Sequence, residues 1–254
     1  MRYLVAIPIF NEAATVRAVL RLVRRYSREI LVVDDGSTDE TPRLLGSERR
    51  IHRIRHPVNL GYGRALHDAF DFAGAGGYEW LITMDCDEQH EPHRIPDFLQ
   101  AAARRDTDII SGSRYLRSIG GNSLPPPDRR TINRRITGLL NELLGLELTD
   151  AFCGFKAYRV SALKRLDLTV AGYGMPLQLW VQAARRGLRI REIPVRLIYN
   201  DPHRHFGGSL DDPDARLRYY YDVLGQELGQ QILGPERLMG PDPARPAAAT
   251  RQAV

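Results

Sequence analysis

Asp85-Cys86-Asp87 follows the apolar run Trp80-Leu81-Ile82-Thr83-Met84, so two carboxylates leave the end of a strand, with Gln89 and His90 just beyond. Burying unpaired acids is costly. Carboxylates grouped in such a place call for a cation, and oxygen ligands favour a hard ion such as Mg²⁺ or Mn²⁺, which can bridge a diphosphate. The same spacing also suits a solvated acidic turn that caps the next helix, and the triplet alone leaves both readings open. Asp34-Asp35-Gly36-Ser37-Thr38-Asp39 ends a second apolar run, Ile30 to Val33. An acid there can accept hydrogen bonds from a base or ribose, while Thr38 or Asp39 caps the following helix. In Asn59-Leu60-Gly61-Tyr62-Gly63-Arg64-Ala65 the two glycines evoke a dinucleotide fingerprint, but Leu66 stands where its third glycine belongs. The segment reads instead as backbone that approaches a diphosphate or sugar, or as a tight turn.

Each of these groups begins where an apolar run stops. Tyr3–Ile9, Glu29–Val33, Ile51–Arg55, Trp80–Met84 and Thr107–Ile110 read as short strands, and Ala14, Val16, Val19, Leu20 and Val23 recur at helical spacing, as do Ala65, Ala69, Phe72 and Ala73. Alternating strand and helix implies a parallel sheet covered on both faces, with ligands bound beyond the carboxyl ends of its strands. From Arg117 to Asp128, Gly120, Gly121 and Pro125–Pro127 predict a mobile surface loop. Beyond it the pattern predicts a helix from about Arg129 to Leu144, a strand near Phe155–Tyr158, a helix over Pro176–Arg186, a strand near Arg189–Val195 and a helix from Asp214 to Gln231. Residues 234–254, rich in Pro and Ala, read as a disordered tail, which leaves 1–233 as one domain.

With 254 residues, 36 Lys+Arg against 31 Asp+Glu and 43% hydrophobic residues, the composition is globular and excludes collagen, coiled-coil and disordered classes. Cys86 and Cys153 are too few for a disulfide framework, and no charged-then-apolar leader precedes the first strand, so a reducing, cytoplasmic setting is expected. No run approaches the roughly 18 apolar residues of a membrane span. Only Lys156 and Lys164 are lysines. The basic surplus is therefore arginine, whose planar fork suits phosphates. No nucleic-acid module or basic-aromatic repeat is present, so no nucleic-acid partner is expected.

Six segments in order resemble glycosyltransferase family 2 on the GT-A fold, and more narrowly the polyprenyl-phosphate (dolichyl-phosphate) mannosyl or glucosyl synthases. Ile7-Pro8-Ile9-Phe10-Asn11-Glu12 is similar to P-x-Y-N-E, Val32 to Ser37 to V-D-D-G-S, Asn59 to Ala65 to N-x-G-x-G-x-A, and Asp85-Cys86-Asp87 to D-x-D. Gly112-Ser113-Arg114-Tyr115 is similar to G-S-R-Y, and Asp150 through Arg159 to D-x-x-S-G-F-R-x-Y-R. The resemblance implies a single α/β domain of GT-A type with a mostly parallel central sheet flanked by helices. By it Pro8, Phe10, Glu12, Val33 and Asp35 hold the nucleoside, Asp85, Cys86 and Asp87 line the diphosphate, and Asp85, Asp87 and Gln89 place Mg²⁺ or Mn²⁺. Arg114 steadies the donor's charge, unless it merely pairs with a neighbouring acid, and Arg204, in a stretch similar to R-x-x-G-x-S, helps it. Phe10 replaces the family's Tyr, Cys153 its Ser, and Leu210 stands where a basic residue often follows the Ser. His203 and His205 either extend the metal site or are simply solvated.

Ile136, Leu139, Leu140, Leu143 and Leu144 form a helical stripe preceded by Arg129, Arg130, Arg134 and Arg135. The stripe either packs on the sheet, with its arginines solvated, or rests on an anionic membrane; the resemblance favours the membrane. Asp150 is expected to act as a base or to orient the acceptor. The implied activity is a metal-dependent, inverting transfer of mannose or glucose from GDP-mannose or UDP-glucose to a polyprenyl phosphate. It would take place peripherally at the cytoplasmic membrane face, with room for a separate membrane-anchoring protein. A glycan or other hydroxyl acceptor, or a non-catalytic sugar-nucleotide-binding module, are the alternatives.

Overall fold

The computed structural model describes residues 1–200 and 206–229. Seven strands, β1 (Tyr3–Ile9), β2 (Ile30–Asp34), β3 (His52–Arg55), β4 (Trp80–Thr83), β5 (Ile109–Ser113), β6 (Lys156–Arg159) and β7 (Ile190–Pro194), form one sheet in the order β3-β2-β1-β4-β6-β5-β7. Every neighbouring pair is parallel except those that β6 makes with β4 and β5. Six strands therefore bring their carboxyl ends to one edge, and β6 brings its amino end to the same edge. Opposite Thr83 of β4, and opposite Ser111 of β5, lies Lys156.

Helices cover both faces, which is why the inner strands read as unbroken apolar runs. Leu4 and Ala6 of β1 point to one core with Leu31 and Val33 of β2, while Val5, Ile7 and Ile9 point to the other with Ile30 and Val32. The second face is closed by α1 (Val16–Val23) and α4 (Ile95–Ala103), through Val16, Val19, Leu20, Val23, Ile95 and Phe98. The first is closed by α3 (Tyr62–Ala75), α5 (Pro127–Leu144), α7 (Met175–Arg185) and α8 (Pro213–Leu228). Two short helices, α2 (Thr41–Ser47) and α6 (Val160–Leu163), complete the set; α2, α4 and α6 were not legible in the spacing. Asp39 does serve the start of α2, its Oδ1 accepting from Thr41 N at 2.9 Å.

Two expectations require correction. The stripe on α5 is spent inside the protein: Ile136 and Leu140 are fully buried, Leu139 and Leu144 pack against the same core, and only Leu143 is exposed. That face is not available to a membrane. The segment after β5 is also tied down rather than loose, because Ser123 N donates to Leu197 O at 2.7 Å and Tyr199 N to Ser123 Oγ at 3.0 Å. Its last proline, Pro127, opens α5, where a missing N–H costs nothing. Gln231, placed at the end of the last helix, and the tail 234–254 lie outside the described residues.

Candidate active site

The loops at the carboxyl edge are built on one another. Asn11, held at φ 57° beyond β1, accepts from Thr38 N at 2.8 Å, and its own N–H donates to Ser37 Oγ at 2.9 Å. Asp34 Oδ1 accepts from Ser37 N at 2.9 Å. Gly36 is left-handed at φ 76°, and a Cβ there would lie 2.2 Å from the carbonyl carbon of Val58. The turn after β2 thus lies directly on the turn after β3.

Asp35 exploits that contact. It is only 4% exposed, and its Oδ1 accepts from Leu60 N at 2.8 Å while Oδ2 accepts from Gly61 N at 2.9 Å. His56 Nδ1 lies 2.6 Å from Oδ1 as well. The glycine pair is thereby explained: Gly61, at φ 104°, and Gly63 press on the carbonyls of Ala171 and Val170, where a Cβ would come within 2.5 Å and 2.2 Å.

At the end of β4, Asp85 is partly exposed and accepts from the Tyr62 hydroxyl at 3.3 Å. A Cβ on Gly154 would stand 2.6 Å from Asp85 Oδ2, so the absence of a side chain at 154 is what makes room for the carboxylate. Asp87 Oδ1 accepts from Gln89 N at 3.0 Å across a turn in which Glu88 takes φ 61°, and Asn200 Nδ2 donates to Asp87 O at 3.1 Å. The buried His90 receives Asp85 N on Nδ1 at 2.9 Å and places Nε2 3.7 Å from Asp85 Oδ2. A nitrogen that accepts an N–H cannot also carry a proton, so this geometry keeps the ring neutral with its hydrogen on Nε2.

Arg114 and Asp150 form the third group. Asp150 has no exposed surface. Its carboxylate accepts from Arg114 Nε at 2.6 Å and Nη2 at 2.8 Å, from Asn133 Nδ2 at 2.8 Å and from Phe152 N at 3.2 Å. Burial pushes its pKa up, but the Arg114 guanidinium more than reverses this and holds it at about 2. A carboxylate so acidic and so enclosed takes no proton near neutral pH. What it orients in the fold is Arg114 and Asn133. Arg114 is fixed by it as a fork, with Nη1 left out of the pair. Behind them Glu192 accepts from Thr149 N at 2.9 Å and Asp150 N at 3.1 Å, which sets the loop that presents the acid.

The remaining expected residues divide. Phe10 is exposed beside the edge, whereas Pro8 and Val33 are buried and can meet a ligand only through main chain. Glu12 is buried, and its Oε2 accepts from Thr15 Oγ1 at 2.9 Å. Cys86 turns into the core below α1, with Sγ 3.9 Å from Thr15 Oγ1, so it too offers main chain to the edge. Gln89 is half-buried. Arg204, His203 and His205 lie outside the described residues. Sequence reasoning missed His56, Tyr62, Asn133 and Glu192, whose partners stand far away in the chain.

Among the described residues no three metal-ligating side chains converge. The donor set at Asp85 and Asp87 nonetheless fits Mg²⁺ or Mn²⁺, which are commonly held by one or two carboxylates with the rest supplied by substrate phosphates and water. No helix among the described residues is long and apolar enough to cross a membrane.

Comparison with known proteins accords with this arrangement. Undecaprenyl-phosphate mannosyltransferase of Micrococcus luteus is 33% identical over 208 residues, 78% of this chain and 84% of its own. Polyprenol monophosphomannose synthase of Mycolicibacterium smegmatis is 32% identical over 205 residues, 76% of each chain. Glucosyl-3-phosphoglycerate synthase of Mycobacterium tuberculosis, crystallised with Mn²⁺, UDP-glucose and phosphoglyceric acid, superposes with a TM-score of 0.69 at 22% identity, over 90% of this chain and 80% of that one. That likeness bears out the expected fold, an α/β GT-A domain with a mostly parallel sheet. The model of the family described as glycosyl transferase family 2 matches residues 4–167. With that match, the six ordered motifs meet on one edge of one sheet, and the chain belongs to glycosyl transferase family 2.

Proposed function

We propose that the protein transfers a hexose, mannose or glucose, from a nucleoside diphosphate sugar to a polyprenyl phosphate with inversion at the sugar carbon. The observation that carries the choice of acceptor is the Arg114–Asp150 pair. A hydroxyl acceptor must lose a proton, and Asp150 at a pKa of about 2 cannot take it. A phosphate monoester is already anionic and needs no such base. The names of the relatives from M. luteus and M. smegmatis point the same way.

In this reading Asp35 accepts from the nucleoside, with Pro8, Phe10, Glu12 and Val33 around it. Asp85 and Asp87, helped by Gln89, hold Mg²⁺ or Mn²⁺, which neutralises charge on the departing diphosphate when bound. Tyr62 and Gly154 set the direction of Asp85. Arg114, locked by Asp150, offers Nη1 to phosphate oxygen. An acceptor oxygen held in line behind the sugar carbon then displaces the diphosphate in one step, which inverts the centre.

A panel of radiolabelled GDP-mannose and UDP-glucose with polyprenyl phosphate and Mg²⁺ or Mn²⁺ tests this. Product should form with one donor and fall by at least about a hundredfold in Asp87→Ala. Equal product from both proteins would remove the metal role. We further assign the protein to the cytoplasmic membrane face. Leu124, 92% exposed, and Leu116 are exposed in the segment after β5 together with Arg117, and Arg134 is exposed on α5. Arg134→Glu with Arg135→Glu should weaken sedimentation with anionic vesicles, each lost cation near the surface being worth about 1 kcal/mol; unchanged sedimentation would refute that placement.

A further inference from the structure

His56 belongs to no motif. It follows β3, is 6% exposed, and stands between two carboxylates: Nδ1 lies 2.6 Å from Asp35 Oδ1 and Nε2 lies 2.6 Å from Asp68 Oδ2 on α3. A neutral imidazole has one N–H, so one of these contacts would set a lone pair against a carboxylate oxygen. Nor is either acid built to carry the extra proton. Asp35 accepts from Leu60 N and Gly61 N, and Asp68 accepts from Arg64 Nε at 3.2 Å with Arg64 Nη2 3.0 Å from its other oxygen. The arrangement is satisfied by an imidazolium donating both ways. Asp35, His56, Asp68 and Arg64 then make a row of alternating charge that sums to zero. Burial opposes the charged ring, and Asp35 and Asp68 reverse that, so the His56 pKa is raised.

The row has a consequence for Asp35. Of about four acceptor sites on a carboxylate, Oδ1 gives both of its own to His56 and Leu60, and Oδ2 gives one to Gly61. One site on Oδ2 remains. We propose that His56 is a positioning residue of the donor site: as a buried cation it fixes Asp35 so that a single carboxylate oxygen meets the nucleoside, and nucleotide affinity falls when that cation is neutralised. Loss of the proton leaves a net negative charge beside an anionic ligand and sets one ring lone pair against an acid. By linkage, bound nucleotide raises the His56 pKa by the factor with which the proton favours binding. The charged groups near the ring are Asp35 beyond β2, Asp68 and Arg64 of α3, and Arg55 of β3, which itself pairs with Asp34 at 3.4 Å.

The inference rests on Asp35 being the nucleoside's acceptor, and the experiment separates the two. UDP and GDP are titrated with Mg²⁺ into the full-length protein by calorimetry from about pH 6 to about pH 9, with melting curves to verify folding. The wild type should bind on a plateau at low pH and about tenfold more weakly once His56 has lost its proton. Asp68→Asn, which lies away from the ligand, should keep the plateau and move the fall to lower pH. His56→Asn should bind about tenfold more weakly throughout, without that fall. Titration of the nucleotide's own phosphate is common to all proteins and cancels in the comparison. Should Asp35→Asn bind as the wild type does, the nucleoside role of Asp35 is wrong. Should it lose binding while Asp68→Asn and His56→Asn keep the wild-type pH profile, the role of His56 is wrong. The imidazole resonances of His56, followed with and without UDP, give its titration directly; a ring that is neutral at pH 6 would overturn the proposal even if no His56 variant folds.

Discussion

Replacing Asp150 by Asn keeps the shape of the side chain and removes its charge, and the structure sets the cost. The carboxyl titrates at 3.8 when unperturbed and at about 2 in the fold. At 1.36 kcal/mol for each tenfold change in proton affinity, that depression is on the order of 2 kcal/mol of stability at neutral pH. Because the folded pKa is the lower one, this contribution is whole above the unfolded value and disappears as pH falls through about 2. The variant also leaves a guanidinium that is only 22% exposed without its counter-charge. Removing one partner of a buried pair costs about 3–5 kcal/mol, and the partial exposure of Arg114 places the loss near the low end, about 3 kcal/mol. For a domain of this size that is a fall in Tm of roughly 6–12 °C.

Urea denaturation of both proteins from pH 7 down to about pH 2 checks the stability, since the gap should close only below about pH 4. Kinetics check the role. A guanidinium out of place by an ångström costs about a hundredfold in kcat, and the loss should be the same at every pH because no proton passes through Asp150. An acid limb near neutrality that is present in the wild type and absent in Asp150→Asn would refute the reasoning, as would an unchanged Tm.

Two glycines give sharp outcomes. Gly154→Ala would put a Cβ 2.6 Å from Asp85 Oδ2 and 3.0 Å from the Tyr62 hydroxyl, so the carboxylate must turn away; the Mn²⁺ concentration for half-maximal activity should rise about tenfold or more, read by metal titration of the transfer assay. Gly36→Ala sets a Cβ 2.2 Å from backbone at Val58 in a residue with φ 76°, and neither side can yield; a loss of about 3 kcal/mol or more in chemical denaturation is expected.

The sheet was legible because burial on both faces writes itself as apolar runs, and β1 was read to the residue. The short helices were not. α2 carries Pro42 and Gly46 within seven residues and too few apolar positions to show a period, and α6 spans a single turn. At the site, positions after strands were readable and partnerships were not. Nothing in the order of residues pairs Arg114 with Asp150, 36 positions on, or His56 with Asp35 and Asp68. The α5 stripe was ambiguous for a related reason: a period of 3.6 says that one face is buried, and only the packing of α7 and α8 against it says by what.

Three acids at the same edge began as equivalent readings, and their surroundings separate them. Asp150 has a permanent cation in Arg114, and Asp35 has the His56 ring, backed by Asp68 and Arg64. Asp85 is different: it meets a tyrosine hydroxyl and the near edge of a neutral histidine, and among the described residues no arginine or lysine pairs with it. Desolvating an acid is costly without a counter-charge, and here the fold removes a side chain at Gly154 to keep Asp85 partly open instead of supplying one. A charge deficit preserved at the point where the motif places the diphosphate is what a site for an exchangeable divalent ion requires. In the proposed reading Arg114, fixed by Asp150, meets phosphate oxygen from one side, and the cation at Asp85 and Asp87 would arrive from solution.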